Sequence, residues 1–176
     1  MLEKSIAIRP AAPEELEQIY SLVTSNGEWT KFNGPYFSYS HPTLEEFAKS
    51  TFKKLVLGLD MQLITVNLIP VGTVNCYWEC EETRWLEAGI VLYDSEYWGQ
   101  GIAALAVPLW VENLFNTRNI ERVGMTTWSG NPRMMALATK LGFKLEARLR
   151  KVRYYQGEYF DSIKYGVLRT EWKAGY

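Results

Sequence analysis

The sequence predicts an α/β (α+β) fold, in which a mixed and mostly antiparallel sheet of about seven strands carries helices on both faces. Apolar residues recur at helical spacing in the first third of the chain, whereas between residues 61 and 93 they alternate as they do in strands. The links between these alternating segments are short, which favours antiparallel neighbours. Helical and alternating segments then follow in turn, and the 176 residues amount to the usual length of one domain.

The charge balance argues against two classes of partner. Nineteen Lys and Arg against twenty Asp and Glu leave a net charge of −1, which is unlike a nucleic-acid binder or a polybasic membrane-surface protein. The first residues contain no apolar signal region, and the longest apolar run, at 103–111, is too short to span a bilayer. We therefore expect a cytoplasmic protein without a nucleic-acid or membrane partner.

Cysteine and histidine are scarce. Cys76 and Cys80 lie in a strand-like run and are expected to be structural thiols, and the one histidine is His41. These residues supply almost no material for a zinc site or for a Ser-His-Asp triad, so we expect no metal.

The first part of the chain predicts a strand at 5–9 and two helices. Pro13 stands at the start of the first helix, whose apolar face falls at i, i+3, i+4 and i+7. Thr43 and Glu46 have the spacing of a capping box at the start of the second helix. The segment 25–42 between the helices is rich in Gly, Pro and aromatic residues and is expected to be irregular. It can be a substrate lid or a packed loop.

The middle and the end of the chain predict the remaining elements. Three strands are expected at 61–67, 71–79 and 85–93, with a turn at Pro70-Val71-Gly72 and a charged link at 80–84. A helix at about 101–116 and a strand at 120–128 follow. Asn131 is then expected to cap a helix that ends at Gly142, and Gln156-Gly157 to turn a long hairpin.

A glycine-containing turn joins the predicted strand 85–93 to the next helix. The amides of five consecutive residues would point outward at the helix N-terminus: Gly99, Gln100, Gly101, Ile102 and Ala103. Such amides form a ready anion site, and glycine lets a phosphate approach the backbone closely. A tight turn without a ligand explains the same glycines.

The dinucleotide-binding pattern fits this turn poorly. Gly99-x-Gly101-x-x-Ala104 matches G-x-G-x-x-G/A in letters, but the glycines follow the strand end by several residues and the preceding strands are antiparallel. A P-loop is also excluded, because no Gly-Lys-Ser/Thr is present in the turn.

The strand, turn and helix resemble the Gcn5-related N-acetyltransferases (GNAT), whose pyrophosphate loop has the pattern Q/R-x-x-G-x-G/A. Residues 98–103 keep the glycine spacing, although Trp98 replaces the usual Gln or Arg. Asn131, the Lys-Leu-Gly-Phe of 140–143 and the terminal hairpin are similar to the RimJ/RimL branch. The resemblance covers nearly the whole chain and implies one GNAT domain over 6–172.

The resemblance implies acetyl-CoA as the co-substrate. The pyrophosphate would lie on the amides of 99–103, and pantetheine would pair with Val91 and Tyr93 between the fourth and fifth strands. The Val91 amide would polarise the thioester carbonyl. Asn131 would contact the pantetheine arm in addition to its capping role. Arg133 would meet a CoA phosphate, unless it is simply an exposed arginine.

Amine acetylation also needs a proton acceptor, because a primary alkylamine is mostly ammonium at neutral pH. Glu87 is the candidate base, acting directly or through water, since its spacing to Trp98 resembles that of the catalytic glutamate in the histone-acetyltransferase branch. A carboxylate on a solvated strand face explains Glu87 equally simply.

The hydroxyls that protonate the leaving thiolate in many relatives are absent, because Ala138 and Met134 occupy their positions. Tyr36 is the candidate replacement as catalytic acid. Tyr39, Ser129 or water are the alternatives.

The resemblance implies an N-acetyltransferase in which the amine attacks the thioester directly. The acceptor would be a protein N-terminus, a polyamine or a small amine. A homodimer is a possible oligomeric state. A basic acceptor would suit an acidic groove that includes Glu79 and Glu87, whereas the aromatic residues of 29–39 suit an apolar body. The alternative is an acyl-CoA-binding or regulatory module with weak catalysis, suggested by Met134 and Ala138.

Overall fold

The structure, a computed structural model, describes residues 4–175. The strands are β1 Ile6–Arg9, β2 Met61–Val66, β3 Ile69–Cys80, β4 Trp85–Leu92, β5 Arg122–Trp128, β6 Lys144–Tyr155 and β7 Glu158–Leu168. The α-helices are α1 Leu16–Thr24, α2 Leu44–Phe47, α3 Lys53–Leu57, α4 Ile102–Thr117, α5 Pro132–Lys140 and α6 Arg169–Gly175.

The strands form one seven-stranded sheet in the order β1-β2-β3-β4-β5-β7-β6. β4 runs parallel to β5, with Leu86 beside Val123 and Glu87 beside Gly124. β5 is antiparallel to β7, and β7 is antiparallel to β6. The predicted fold class, a mixed and mostly antiparallel sheet of seven strands with helices, is confirmed.

The predicted helix starts are confirmed in the first part of the chain. Pro13 opens a short 3-10 turn that continues into α1. Thr43 Oγ1 accepts a hydrogen bond from the Glu46 amide at 3.2 Å, and Glu46 Oε2 accepts one from the Thr43 amide at 2.8 Å. A π-helical turn, Ala48–Phe52, joins α2 to α3. The segment expected to be irregular contains a 3-10 helix, Gly27–Lys31, which places Trp29 in the core.

The predicted turn at Pro70-Val71-Gly72 is wrong. The chain reverses at Asn67 and Leu68, whose φ angles are 50° and 71°, and residues 70–72 lie inside β3. Pro and Gly commonly mark turns, but here Gly72 meets a different need. A Cβ at Gly72 would lie 2.2 Å from the carbonyl oxygen of Val91, so glycine permits a close approach between two strands.

The predicted elements of the second half are confirmed, with one difference at the end. Asn131 Oδ1 accepts from the Met134 amide at 3.1 Å and caps α5, and Gly142 ends that helix with φ 78°. Gln156 and Gly157 turn the hairpin with φ angles of 49° and 85°. The second strand of this hairpin ends at Leu168, and a helix that the sequence did not predict, α6, follows it.

The chain contains two compact units by contact density: residues 4–31, 39–75 and 90–110 form unit 1, and residues 32–38, 76–89 and 111–175 form unit 2. Unit 1 buries an apolar cluster that includes Ile19, Phe47, Leu55, Leu63 and Tyr93. Unit 2 has fully or nearly fully buried residues that include Leu114, Ile120, Val123, Met125 and Ile163. A single domain over 6–172 stays a prediction. Within residues 4–175, no helix has the length and apolar character needed to cross a membrane.

Candidate functional site

The glycine turn lies in unit 1, between the end of β4 and the start of α4. Asp94 Oδ1 accepts from the Glu96 amide at 2.9 Å and begins a 3-10 turn, Ser95–Tyr97. Trp98 Nε1 then donates to the carbonyl oxygen of Leu92 at 2.9 Å. The indole therefore ties the turn back to the strand. This is the position at which the family motif has Gln or Arg.

Both glycines of the turn are required by the backbone. Gly99 and Gly101 have φ angles of 72° and 79°, in the left-handed region that side chains disfavour. A Cβ at either position would meet no atom within 4 Å, so no neighbouring group covers these two glycines on that side. α4 begins at Ile102, and the first-turn amides of a helix lack partners within it. Lys4 Nζ also donates to Gln100 Oε1, which brings a cation to the turn. The turn has the features of an anion site.

Tyr93 is fixed by unit 1 in three ways. Its amide donates to Val71 O at 3.1 Å, its hydroxyl shares a 3.0 Å hydrogen bond with Thr73 Oγ1, and its ring packs edge-on against Trp29. Burial raises the pKa of Tyr93 to about 12, although the hydrogen bond with Thr73 opposes the shift. This amide is occupied within the sheet, and the pairing of pantetheine with Tyr93 stays a prediction.

Val91 points its backbone to the same side as Tyr93. Its carbonyl oxygen lies against Gly72, as the 2.2 Å separation from the Cβ position there shows. Backbone groups of successive residues in a strand face opposite sides, so Ile90 and Leu92 present theirs on the other side of β4. No sequence pattern identifies these two amides, because the side on which β4 pairs with β3 is set by long-range contacts that periodicity does not reveal.

Glu87 is completely buried in unit 2 and lies in a hydrogen-bonded network. Oε1 accepts from Trp85 Nε1 at 2.9 Å and from Arg122 Nη1 at 3.0 Å, and Oε2 accepts from Thr126 Oγ1 at 2.8 Å. Gly124 is the β5 neighbour of Glu87, and a Cβ there would lie 2.1 Å from Oε1. The expectation of a carboxylate on a solvated face is wrong for this residue. A direct contact with an amine is also blocked in this conformation.

Arg122 links Glu87 to a second carboxylate. Its Nη2 donates to Glu146 Oε2 at 2.6 Å and to Tyr165 O at 3.3 Å. Burial lowers the pKa of Arg122, but the hydrogen bonds with Glu146 and Glu87 outweigh it and the pKa is raised. The guanidinium therefore stays charged between the two carboxylates.

A cavity of about 500 Å³ lies beside this network in unit 2. Its lining residues are Thr83, Arg84, Trp85, Asn119, Glu121, Arg122, Glu146, Ala147 and Lys164. Trp85 and Arg122, the two donors to Glu87 Oε1, are among these lining residues, whereas Glu87 itself is not. Lys164 Nζ contacts Glu79 Oε1 at 3.2 Å, Thr126 Oγ1 at 3.3 Å and the face of Trp85.

Asn131 is the predicted N-cap of α5, and its amide group has a second contact. Nδ2 lies 3.4 Å from the carbonyl oxygen of Phe32, which also accepts from Trp128 Nε1 at 3.0 Å. Arg133 is exposed and stacks over the Phe32 ring at 5.6 Å. The start of α5 and the segment 32–38 are therefore tied together at Phe32.

The candidate hydroxyls have different surroundings. Tyr36 is half-buried in unit 2 and packs edge-on against Trp128, with ring centroids 5.7 Å apart. Ser129 Oγ accepts from the Asp161 amide at 2.9 Å, which gives it a structural role. Tyr39 lies in unit 1 against Trp29, and burial raises its pKa. Ala138, where many relatives have a Tyr, is completely buried. Among residues 4–175, no three His, Cys, Asp or Glu side chains are grouped to hold a metal.

Comparison with protein families gives a match to the acetyltransferase (GNAT) domain over residues 5–144. The SPbeta prophage-derived uncharacterized N-acetyltransferase YokL of Bacillus subtilis (strain 168) is 24% identical over 132 residues, which is 75% of this chain and 70% of that protein.

Two solved structures are similar over most of their length. Spermidine N-acetyltransferase from Vibrio cholerae, in complex with CoA and spermine, is 18% identical with a TM-score of 0.76 and coverage of 96% of this chain and 98% of that one. RimL, a ribosomal alpha-N-protein acetyltransferase in complex with coenzyme A, is 20% identical with a TM-score of 0.75 and coverage of 96% of each chain. At this level of identity the structural likeness establishes the fold.

Proposed function

Because the chain belongs to the acetyltransferase (GNAT) domain family, we propose that it transfers the acetyl group of acetyl-CoA to a primary amine by direct attack in a ternary complex. The acceptor classes are those of the RimJ/RimL branch that the sequence resembles: a protein N-terminus, a polyamine or a small amine. The observation that carries the proposal is the turn at 98–103. Its two left-handed glycines directly precede a 16-residue helix, and a Cβ at either one would meet no atom within 4 Å.

The turn and β4 supply the groups that hold acetyl-CoA. The amides of Gly99–Ala103 bind the pyrophosphate at the positive end of α4, with Lys4 nearby. Pantetheine runs along β4 on the side opposite Val71, and there the Leu92 amide polarises the thioester carbonyl in place of the Val91 amide. Asn131 Nδ2 contacts the pantetheine arm, and Arg133 contacts a phosphate.

Glu87 accepts the proton of the attacking amine through a hydroxyl. Because no part of Glu87 is exposed, the proton passes to Thr126 Oγ1, which gives its own proton to Glu87 Oε2 across the 2.8 Å hydrogen bond. The amine nitrogen then forms a bond to the thioester carbon while the carbon–sulfur bond breaks. Tyr36 protonates the departing thiolate, with water as the alternative.

A weakly catalytic acyl-CoA-binding module is the second candidate function. Met134 and Ala138 stand where relatives have a hydroxyl acid, and the three donors to Glu87 are typical of a structural carboxylate. Such a module would bind acetyl-CoA through the same turn and release little thiol.

A thiol-release assay with an amine panel separates the two functions. The panel contains spermidine, small amino compounds and peptides with free N-termini, and acetyl-CoA binding is followed calorimetrically in parallel. Binding together with thiol release from one amine class supports the transferase. Binding without release favours the weak module, and no binding contradicts both.

Two variant pairs assign the residues. Gly101→Glu places a carboxylate on the pyrophosphate turn and is expected to abolish acetyl-CoA binding. Gly142→Glu is the control, since Gly142 has a similar φ of 78° and also no atom within 4 Å of its Cβ position.

Glu87→Gln is expected to lower kcat by about 100-fold without weakening acetyl-CoA binding. Glu146→Gln is its control, because it removes the other carboxylate from the same arginine. An unchanged pH profile in Glu87→Gln would remove Glu87 as the base.

A further inference from the structure

Arg153 is placed on β6 by an irregularity in the terminal hairpin. The register shifts between Leu149 and Arg153, and Lys151 in the middle has a left-handed φ of 55°. Asp161 on the paired strand stabilises this bulge, because its Oδ1 accepts from the Lys151 amide at 2.9 Å. Bulges often redirect a side chain at a functional site. Here the residue after the bulge is an arginine opposite Phe160.

The guanidinium of Arg153 lies on aromatic rings of unit 2. It is 5.0 Å from the centroid of Tyr36 and 5.7 Å from that of Phe37. Tyr36 packs against Trp128, whose other ring neighbours are Tyr155 and Phe160. We call the five rings of Tyr36, Phe37, Trp128, Tyr155 and Phe160 the aromatic cluster. Such rings favour a cation and offer an apolar wall.

The charge of Arg153 has no acidic partner among residues 4–175. Its Nε is buried and makes no hydrogen bond. Asp161, the acid on the paired strand, is committed to Arg148 Nε at 2.6 Å and to the Lys151 amide. A buried donor on a charged group without a partner is unfavourable and is rare in folded proteins. The missing partner is a hydrogen-bond acceptor, because a guanidinium has donors only, and an anionic acceptor would also balance its charge.

We propose that Arg153 binds a carboxylate of the acceptor, so that the amine acetylated by this protein is an aminocarboxylate with an apolar body. The proposal rests on the proposed acetyl transfer and adds the chemical class of its acceptor. The Nε and Nη edge of arginine holds a carboxylate through two parallel hydrogen bonds. The aromatic cluster contacts the apolar body of the same molecule.

An anion reaches the buried Nε only after a neighbouring group moves. Phe37, one of the two rings over the guanidinium, is 65% exposed and has room to change its rotamer. The cluster also contains Tyr36, the proposed acid, and joins the start of α5 at Phe32 through Trp128 Nε1 and Asn131 Nδ2. A molecule held on Arg153 is therefore next to the residues to which the acid and pantetheine roles are assigned.

The cavity beside Glu87 fits an anionic acceptor less well. Arg122 is shared between Glu87 and Glu146, and Lys164 contacts Glu79. Two of the three cations that line the cavity therefore already have carboxylate partners, and the side chains of Glu121 and Glu146 also line it.

The test uses matched ligands that differ by one carboxylate. L-phenylalanine is compared with phenethylamine, and glycyl-L-phenylalanine with glycyl-phenethylamide, in thiol release with acetyl-CoA. The acetylated products of the same four amines are titrated calorimetrically in the presence of CoA, which measures binding without turnover. Wild type is expected to prefer the carboxylate member of at least one pair by about 10- to 100-fold, the range of a charge-assisted hydrogen bond.

Arg153→Met is expected to reduce this preference to about twofold or less, and Arg153→Lys to retain only part of it. Arg150→Met is the control, because it removes the same charge from an exposed position on the same strand. Melting temperatures of the three variants show that each is folded.

The results separate the two levels of the proposal. No preference for either carboxylate in wild type, or a preference that survives in Arg153→Met, overturns the assignment of Arg153 and leaves acetyl transfer intact. Failure to bind acetyl-CoA at all contradicts the proposed function, while the product titrations still decide whether Arg153 recognises a carboxylate.

Discussion

A single side chain in this protein is fixed by partners that lie far away in the sequence. Glu87 was located on a strand by its alternation, but Arg122 and Thr126, which hold its carboxylate, are 35 and 39 residues further along. No local pattern connects them. The same holds for Arg153, because the two rings under its guanidinium, Tyr36 and Phe37, come more than a hundred positions earlier. The sequence revealed which residues can carry chemistry, and the fold decides their surroundings.

Backbone atoms of β4 leave no room for a side chain at position 72. A Cβ there would lie 2.2 Å from Val91 O and 3.1 Å from Leu92 Cα, and neither atom can move without shifting β4. We expect Gly72→Ala to lower the free energy of unfolding by about 2–4 kcal/mol in urea titrations. Gly27→Ala is the control, since a Cβ there meets no atom within 4 Å, and it should change stability by less than about 0.5 kcal/mol. Equal stabilities of the two variants would contradict this account.

Tyr93 predicts a pH dependence at the alkaline end. Its pKa is raised to about 12 by burial, whereas a tyrosine in the unfolded chain ionises near about 10. The neutral phenol therefore stabilises the fold fully below about pH 10, and this contribution is lost as the pH rises through the interval up to the folded pKa. Phenylalanine has no hydroxyl to ionise, so the stability of Tyr93→Phe does not fall for this reason at alkaline pH. The variant does leave Thr73 without its hydrogen-bond partner at every pH.

We expect Tyr93→Phe to be less stable than wild type by about 1 kcal/mol at neutral pH. The difference should shrink or reverse between about pH 10 and about pH 11.5, measured by urea unfolding at each pH. Tyrosines other than Tyr93 titrate in both proteins and cancel in the difference. A constant difference across this interval would show that Tyr93 does not titrate as its burial implies.

Element boundaries were predictable where local chemistry sets them. Thr43 with Glu46 and Asn131 with Pro132 carry their own capping groups, so the helix starts were found from a few adjacent letters. The turn between β2 and β3 was predicted at the wrong residues. The chain reverses at Asn67 and Leu68, which are weaker turn signals than Pro70 and Gly72. The glycine of β3 serves strand packing, and that need arises only in the sheet.

The end of α4 depends on an arginine from the far end of the chain. Arg169 donates to Phe115 O at 2.8 Å, to Arg118 O at 3.0 Å and to Ile120 O at 2.7 Å. The last carbonyls of a helix lack partners within it, and a cation there also suits the helix dipole. Arg169 therefore acts as a C-terminal cap for α4 within unit 2.

We expect Arg169→Met to lower the melting temperature by about 5–10 °C, because about 2–3 kcal/mol of charge-assisted hydrogen bonding is lost. Arg169→Lys should fall between wild type and Arg169→Met, since lysine keeps the charge but cannot reach three carbonyls. Arg150→Met, exposed and on β6, is the control for the loss of a positive charge. Scanning calorimetry measures all four proteins, and a drop in Arg150→Met as large as that in Arg169→Met would count against the capping role.

The fold class was predictable from the order of periodicities together with the glycine turn, and the seven-stranded sheet confirms it. The predicted single domain over 6–172 implies that all of these residues unfold in one cooperative transition. Three elements, β3, β4 and α4, contribute residues to both compact units. A strand that loses half of its ladder or a helix that loses half of its length is no longer stable alone. This continuity predicts that the two units unfold together.

We expect one cooperative transition, with coincident urea curves from tryptophan fluorescence and far-ultraviolet circular dichroism and a calorimetric enthalpy equal to the van't Hoff value. Gly72→Ala gives a second test, because the substitution lies in unit 1 while β7, where exchange is measured, lies in unit 2. In this variant, the free energy of hydrogen exchange of peptides from β7 should fall by the same amount as the global free energy of unfolding. If β7 keeps its full protection while unit 1 is destabilised, the two units are separate domains and the prediction of one domain over 6–172 is wrong.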